Sequence, residues 1–530
     1  MGDSGEHHTY HQSLSTDHGN GLDDSAGLQA YLHAGAGYGG GKNNRKSDFE
    51  SGFVLLDKDQ IAKPVVTRAQ LVSGGGLLAL FALFVWLHPA AAILSASVLF
   101  SVFYVAVAVF RAAVLAGIDR IDAEVWGGGN GFSEAMLPPG DYLILVPLYR
   151  EAGQIGDLIA ALDRLKWRAG RKHVHLLLEH DDVETIAAVA AELPKAGFHL
   201  EIVPPGMPRT KPRALNHALQ KVHGDYLVIY DAEDRPHPLQ LVEAATVFLR
   251  SEPDLACLQA PLVVDNCHAS WLACLYAMEY DTLFCGMLPT LARWRAPIPL
   301  GGTSNHFIFA KLLEAGGWDS FNVTEDADLG MRLARNRMLC GTITTPTMEE
   351  APARLRPWLF QRTRWTKGWM QTLLVHMRSP ARTAREMGLR NYALFHVILI
   401  SLVVSVLVHP VFLAAYAYQM ARFFSGTSLS AVDIAMAGIS NFNLVAGYTT
   451  YCLLVVAVEF AVIRPDRRAG RSVFWILLFP FYWLLISLAG WRALFQLIFR
   501  PHVWEKTEHG SSDRRAPDWQ KNGLKSQTEK

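Results

Sequence analysis

Leu227-Val228-Ile229-Tyr230-Asp231-Ala232-Glu233-Asp234-Arg235-Pro236-His237-Pro238 is an apolar β-type run that ends abruptly in three carboxylates and a proline-punctuated helix start. In an open α/β sheet, ligands bind beyond the carboxyl ends of the strands. Acids clustered at such an end suit a hard divalent cation. Mg²⁺ usually binds through one or two carboxylates plus substrate phosphates. A solvated acidic turn with Asp234 as a helix cap is the plain alternative for the same residues.

Outward from this stretch, residues 142–345 alternate short apolar runs with helical patterns. The runs are Tyr142–Val146, His173–Leu178, His199–Val203, Tyr226–Tyr230 and Leu255–Gln259, and helix-like stretches lie between most of them. This spacing predicts an α/β domain with a doubly wound, mainly parallel sheet. A nucleotide belongs at its carboxyl edge. No Gly-x-Gly-x-x-Gly or Walker A pattern follows any run, so neither a dinucleotide fingerprint nor a P-loop is indicated.

Other chemistry-bearing residues fall at the ends of the same runs. The first run ends in Pro147-Leu148-Tyr149-Arg150-Glu151, and the second in Glu179-His180-Asp181-Asp182, a further acid cluster on the same edge. The third leads into Arg209-Thr210-Lys211-Pro212-Arg213, a basic loop opening a helix. Charge and helix N-terminal amides make such a loop a phosphate site, Lys211 above all. Gly301-Gly302-Thr303-Ser304-Asn305-His306 is a turn whose paired glycines let a ligand approach the backbone. His306 reads as a ligand or, with slightly more weight, as a structural histidine. Thr324-Glu325-Asp326 opens a helix to about Asn336. There Asp326 reads either as a helix cap or as a general base within reach of an acceptor hydroxyl.

The apolar residues are unevenly spread. From Leu71 to Gly117 the only charged side chain is Arg111. That run predicts two transmembrane helices meeting near His88-Pro89. Tyr392–Met420, Leu444–Ile463 and Ser472–Phe499 are further apolar blocks. Lys58, Lys63 and Arg68, and the cluster Arg464, Arg467, Arg468 and Arg471, place their segments in the cytosol, and with them the α/β domain. Pro480, Gly490 and Arg492 interrupt the last block, which predicts a re-entrant or interfacial hairpin. Residues 354–390 are basic and carry Trp358, Trp365 and Trp369, a composition that suits an amphipathic helix at the membrane face.

Lysine plus arginine and aspartate plus glutamate both number 49, so no basic surplus draws in nucleic acid. The six cysteines form no Cys-x-x-Cys pair, which fits a reducing compartment without structural zinc. Residues 1–50 are rich in Gly, His, Ser and Asp and are expected to be disordered. The first apolar block begins too far along the chain for a cleaved signal peptide.

Taken in order, the acid pair after the second run, Asp-Ala-Glu-Asp, Thr-Glu-Asp and Gln361-Arg362-Thr363-Arg364-Trp365, set between transmembrane segments, resemble the membrane-integrated family 2 glycosyltransferases. That group includes cellulose, curdlan, chitin and hyaluronan synthases. The resemblance covers roughly residues 70–510. It implies a glycosyltransferase A-type domain over 140–350 between membrane helices (70–118 and 391–500), with basic helices over 351–390. It also implies a nucleotide-sugar donor with UDP-glucose as default, a glycan acceptor, Mg²⁺ or Mn²⁺, and inversion at the anomeric carbon. Tyr149, Glu151, Asp181 and Asp182 match nucleoside-contacting positions. Asp231 with Glu233 or Asp234 matches the metal pair. Asp326, beside Glu325, matches the base, and Gln361, Arg364 and Trp365 match the diphosphate and acceptor motif, with Thr303 and His306 nearby. Lys506 and Thr507, in the cytosolic tail 501–530, resemble a gating loop that closes over the nucleotide. The implied setting is the bacterial inner membrane, with membrane lipid around the helices and periplasmic or regulatory protein partners left open. A lipid acceptor is the alternative to a growing polysaccharide. A nucleotide-regulated transporter or membrane anchor is a more distant one, since Glu459 is the only acid well inside a span.

Overall fold

The computed structural model describes residues 56–118, 138–168, 171–426, 430–463, 473–503 and 505. The tail 1–50, the arginines 464–471 and the Lys506-Thr507 segment lie outside them.

Two apolar helices come first, α1 (Arg68–Leu87) and α2 (Pro89–Ala116), split at His88. Pro89 is tolerated because a first-turn residue has no intrahelical N–H bond to lose. The α/β domain follows: β1 (Tyr142–Leu148), α3 (Ile155–Asp163), β2 (Lys172–Glu179), α4 (Val183–Glu192), β3 (Phe198–Val203), α5 (Lys211–Leu219), β4 (Tyr226–Ile229), β5 (Arg235–Pro236), α6 (Gln240–Arg250), β6 (Leu255–Gln259), β7 (Leu262–Val264), α7 (Trp271–Asp281), a π-helical turn Thr282–Met287, α8 (Leu288–Arg293), β8 (Asn305–Ile308), α9 (Phe309–Glu314), α10 (Glu325–Arg335), β9 (Leu339–Thr342) and β10 (Thr347–Glu349). Then come α11 (Leu355–His376), α12 (Pro380–Met387), α13 (Leu389–Phe424), α14 (Ala431–Ala461) and α15 (Phe479–Phe499).

The main sheet has the order β3-β2-β1-β4-β8-β6-β9. The first four strands are parallel, and β8 runs antiparallel between β4 and β6. A second sheet, β5-β10-β7, lies beside it. Alternation along β1 divides its side chains between two cores. Tyr142, Ile144, Val146 and Leu148 pack with α3, α4 and α6. Leu143 and Leu145 face a second core. That second core runs without a break from the sheet to Trp358 of α11, Ile398 of α13, Val455 of α14 and Tyr482 of α15. The main sheet and the apolar helices are thus one packed body.

Among the described residues, five helices are long and apolar enough to cross a membrane. None of the residues of α1 is buried in the protein, which leaves its apolar surface to lipid. The last apolar block is not a hairpin. It is the single helix α15, entered through the 3₁₀ turn Val473–Leu478. Pro480 sits in its first turn. Gly490 admits α13 closely, since a Cβ there would lie 2.3 Å from Val406 Cγ1. Arg492 is neutralised by two bonds to Glu505, at 2.7 and 2.6 Å. Each feature that argued for a break has a local partner.

α15 lies lengthwise on α11. Tyr482 packs on Trp358 and bonds Arg362 near one end. Towards the other, Lys367 Nζ donates to Gln496 Oε1 (3.1 Å), Arg500 O (3.4 Å) and Val503 O (2.7 Å). This docking corrects the surface-helix expectation for residues 354–390. Trp358, Thr363, Lys367 and Gln371 are all buried, because α15 and the α/β domain cover opposite sides of α11.

α10, which begins with Glu325 and Asp326, is pinned by backbone approach. A Cβ on Gly330 would sit 2.0 Å from Ile298 O. Gly330→Ala should therefore cost about 1–3 kcal/mol and lower the unfolding midpoint in detergent. Gly438→Ala, in open space on α14, should leave it unchanged or slightly raised. Equal midpoints for both variants would contradict this packing.

Candidate active site

β1 and β2 end level, Leu148 pairing with Leu178, and the parallel β4 ends at Ile229 opposite Leu145, so the residues that follow the three strands gather on one edge. A cavity of about 930 Å³ opens there. Its walls include Tyr149, Glu151, Glu179, Lys211, Asp231, Glu233, Thr303, Glu325, Asp326, Gln361, Arg364 and Trp365. Sequence-predicted residues from six separate segments thus meet around one space.

Lys211 is the hub. It is the first residue of α5 and its ammonium bonds the Asp231 carboxylate. It also donates to the Gly302 carbonyl at 2.7 Å. Burial works against its charge, but Asp231, Glu325 and Asp234 more than offset this and hold its pKa above the ordinary lysine value.

The acidic run divides its labour. Asp234 is buried, accepts from Asp231 N at 2.7 Å and bonds the Thr303 hydroxyl. It braces the turn and does not line the cavity, whereas Glu233 and Asp231 do. Burial, then repulsion from Asp231 and Glu233, pushes the Asp234 carboxyl well up. Glu349 joins from β10, and burial plus the same three acids raise it strongly. Asp231 and Glu233 are oxygen donors of the kind Mg²⁺ and Mn²⁺ take. Among the described residues no three His, Cys, Asp or Glu side chains converge as a ready-made cage. A cation here would need its remaining ligands from phosphate or water, which is the habit of Mg²⁺.

Glu325 and Asp326 open α10 behind the N-cap Thr324. Asp326 is not the cap. Its Oδ1 accepts from Ala327 N at 2.7 Å, and its Oδ2 lies 3.3 Å from where a Gly302 Cβ would be. Burial raises the Asp326 pKa, against the pull of Lys211 and Arg364. Burial and Asp326 raise Glu325 to about 7.

The deep end is aromatic. Trp365 stacks on Tyr280 with centroids 6.0 Å apart and planes at 25°. Gln361 Oε1 accepts from Tyr276 OH at 3.1 Å. Arg362 lies 4.8 Å from the Trp365 ring centroid and pairs bidentately with Glu279, both bonds at 2.7 Å. Tyr482 OH closes the triad, 2.7 Å from Glu279 and 3.0 Å from Arg362.

Three predicted residues have structural duties instead. His306 is buried between Tyr142 OH (2.5 Å) and Gln240 Oε1 (3.2 Å), outside the cavity wall. Its acceptor-binding reading falls, because both ring nitrogens face core partners. Asp182 caps α4 through Thr185 N (3.3 Å) and holds the Arg150 amide. Asp181 is not in the wall either, but pairs with Arg209 at 2.8 Å beside Tyr149. Glu179, the last residue of β2, lines the cavity and meets Arg213 at 3.3 Å. Sequence reasoning missed Glu179, Glu279, Arg362 and Glu349. Glu179 and Arg362 stood inside quoted motifs, whereas Glu279 and Glu349 had no local signal. Lys506 and Thr507 lie outside the described residues, but Pro501, His502 and Val503, just before them, line the cavity.

A family model described as "Glycosyltransferase like family 2" matches residues 138–368. The probable glucomannan 4-beta-mannosyltransferase 1 of Arabidopsis thaliana is 25% identical over 234 residues, 43% of this chain and 42% of that protein. The beta-monoglucosyldiacylglycerol synthase of Synechocystis is 23% identical over 399 residues, 71% of this chain and 76% of that protein. The chain spans less than half the length of the first curated relatives it matches. Among solved structures, the mannosyltransferase PcManGT from Pyrobaculum calidifontis, in complex with GDP-Man and Mn²⁺, overlaps 75% of this chain and 99% of its own, at 13% identity and a TM-score of 0.42. Over residues 138–368, which carry the mostly parallel main sheet, this chain is thus similar to the family 2 glycosyltransferases.

Proposed function

We propose that this chain is a membrane-embedded inverting glycosyltransferase that moves a hexose from a nucleotide-sugar donor to a growing β-linked polysaccharide. The observation that carries the reading is the single cavity. It holds Asp231, Glu233, Lys211, Arg364 and Asp326 together and ends on the stacked Trp365 and Tyr280. Cations and carboxylates at one end suit a diphosphate. Aromatic faces at the other suit a sugar ring.

The reaction follows from the placement. Asp326 takes the proton of the acceptor hydroxyl, and that oxygen attacks the anomeric carbon. The bond from this carbon to the diphosphate oxygen breaks, and the nucleoside diphosphate leaves with the electron pair. Lys211 and Arg364 stand where that charge develops and stabilise it electrostatically. Asp231 and Glu233 would hold Mg²⁺ or Mn²⁺, which when bound supplies further charge neutralisation at the diphosphate. Tyr149 and Glu151 would border the nucleoside. Glucose is the default sugar, and the mannosyltransferase relatives make mannose the next to test.

A second reading has its own support. Val107, Phe110, Leu283, Met287 and Leu454 extend the cavity wall as apolar surface, which suits a lipid acceptor. The glycolipid synthase relative aligns over most of both chains.

Membranes carrying the protein, given Mn²⁺ and labelled nucleotide sugars, should make product precipitable by ethanol. Asp326→Asn should cut kcat by about 10²–10⁴-fold. Label found only in the organic phase would replace the polymer with the lipid reading. Turnover insensitive to Asp326→Asn would remove the base assignment.

The base must be ionised to act, and its pKa is raised in the folded protein. Activity should therefore fall as pH drops through a value above the ordinary aspartate pKa of about 3.9. A pH profile of kcat/KM flat down to that value would contradict the buried-base account.

A further inference from the structure

The catalytic cavity does not stop at the α/β domain. Its wall includes Val107, Phe110 and Arg111 of α2, Leu283 and Met287 of the π-helical turn, and Leu454 of α14. All but Arg111 are apolar. A charged side chain on a membrane helix signals a functional site by default.

Arg111 has little to neutralise it. One N–H donates to the Gly447 carbonyl at 3.0 Å, and the guanidinium lies 5.2 Å from the Tyr451 ring centroid. Among the described residues no carboxylate pairs with it. Glu279, an acid of the same cavity wall, is already held by Arg362 and Tyr482. A guanidinium has five donors in a fixed fork, matched to the oxygens of a phosphate.

Depth points the same way. α2 has 28 residues, so it is about 42 Å long at 1.5 Å per residue. That exceeds the roughly 30 Å hydrocarbon core. Its last turns, joined to the α/β domain, therefore lie at headgroup level. Arg111 stands five residues before the final Ala116, within that layer. The apolar residues beside it supply a wall for acyl chains.

We propose that this lobe of the cavity binds an anionic phospholipid, its phosphate on Arg111 and its chains against Val107, Phe110, Leu283, Met287 and Leu454. This is the same apolar wall that the lipid-acceptor reading uses, and the phospholipid proposed here is resident whether the sugar acceptor is a glycan or a lipid. It gives the active site a resident lipid at the point where acceptor and membrane meet.

The test uses the full chain in bilayers of phosphatidylcholine mixed with phosphatidylglycerol, followed by native mass spectrometry of the lipids retained. Wild type should keep phosphatidylglycerol over phosphatidylcholine. Arg111→Gln should lower that preference about tenfold, and Arg111→Lys should keep most of it. Leu454→Trp fills the lobe without touching the charge and should also expel the lipid, which covers the case in which Arg111→Gln fails to fold. Asp326→Asn should lose sugar transfer and keep the lipid, so failure of the lipid site and failure of the catalytic reading are told apart. Equal phosphatidylglycerol retention by wild type and a folded Arg111→Gln would overturn the proposal. So would displacement of the lipid by a soluble β-linked hexasaccharide, which would mark the lobe as a glycan path.

Discussion

The ammonium of Lys211 holds the candidate site together. It ties the start of α5 to Asp231 at the end of β4 and to the carbonyl of Gly302 in the glycine turn. Its field reaches Glu325 and Asp326 at the head of α10 and Glu349 on β10. Two like charges about 4 Å apart in a protein-like medium repel by about 4 kcal/mol. One lysine cannot balance so many acids. Burial raises the pKa values of Asp234, Glu325, Asp326 and Glu349, and repulsion from neighbouring acids adds to it at Asp234, Glu325 and Glu349. A site in this state is built to gain positive charge, and a divalent cation arriving with a diphosphate is one way to supply it while using that diphosphate as a ligand.

The second organising element is the α11–α15 pair. α11 presents Gln361, Arg364 and Trp365 to the cavity on one side and buries Lys367 and Gln371 against the end of α15 on the other. Gly368 lets it press on Thr324, since a Cβ there would come within 2.2 Å of the threonine hydroxyl. The helix that carries Gln361, Arg364 and Trp365 therefore touches the cap of the helix that carries Glu325 and Asp326. Through Lys367 it also holds the carbonyls of Arg500 and Val503, at the edge of the cavity. Chemistry, membrane helices and C-terminal segment share this one contact surface.

Much of this was legible in the sequence. The run before Gly117, charged only at Arg111, shows its two helices because it is long and apolar and His88-Pro89 breaks the pattern. The parallel strands show as apolar runs because both faces of the sheet are covered. The site motifs show because each is local, a few residues at the end of one strand or the start of one helix. What the sequence hides depends on partners far along the chain. Glu233 faces the cavity and Asp234 turns inward because Thr303, 69 residues away, takes the Asp234 carboxylate. Glu279 matters only because α11 brings Arg362 to it from 83 residues on. The short strand β8 hides in a glycine turn, and its antiparallel place follows from pairing with β4 and β6. α15 misled because Pro480 and Arg492 look like interruptions until the first-turn position and the Glu505 partner are seen.

The central claim is that a nucleoside diphosphate sits between the acids after β4 and the cations Lys211 and Arg364, with the Trp365 and Tyr280 rings beyond it. Electron cryo-microscopy of the full chain with Mn²⁺ and a nucleoside diphosphate tests this most directly. The account predicts metal density against Asp231 and Glu233, diphosphate density reaching Arg364, and the nucleoside beside Tyr149. Nucleotide bound elsewhere, or a diphosphate remote from both Asp231 and Arg364, would contradict it.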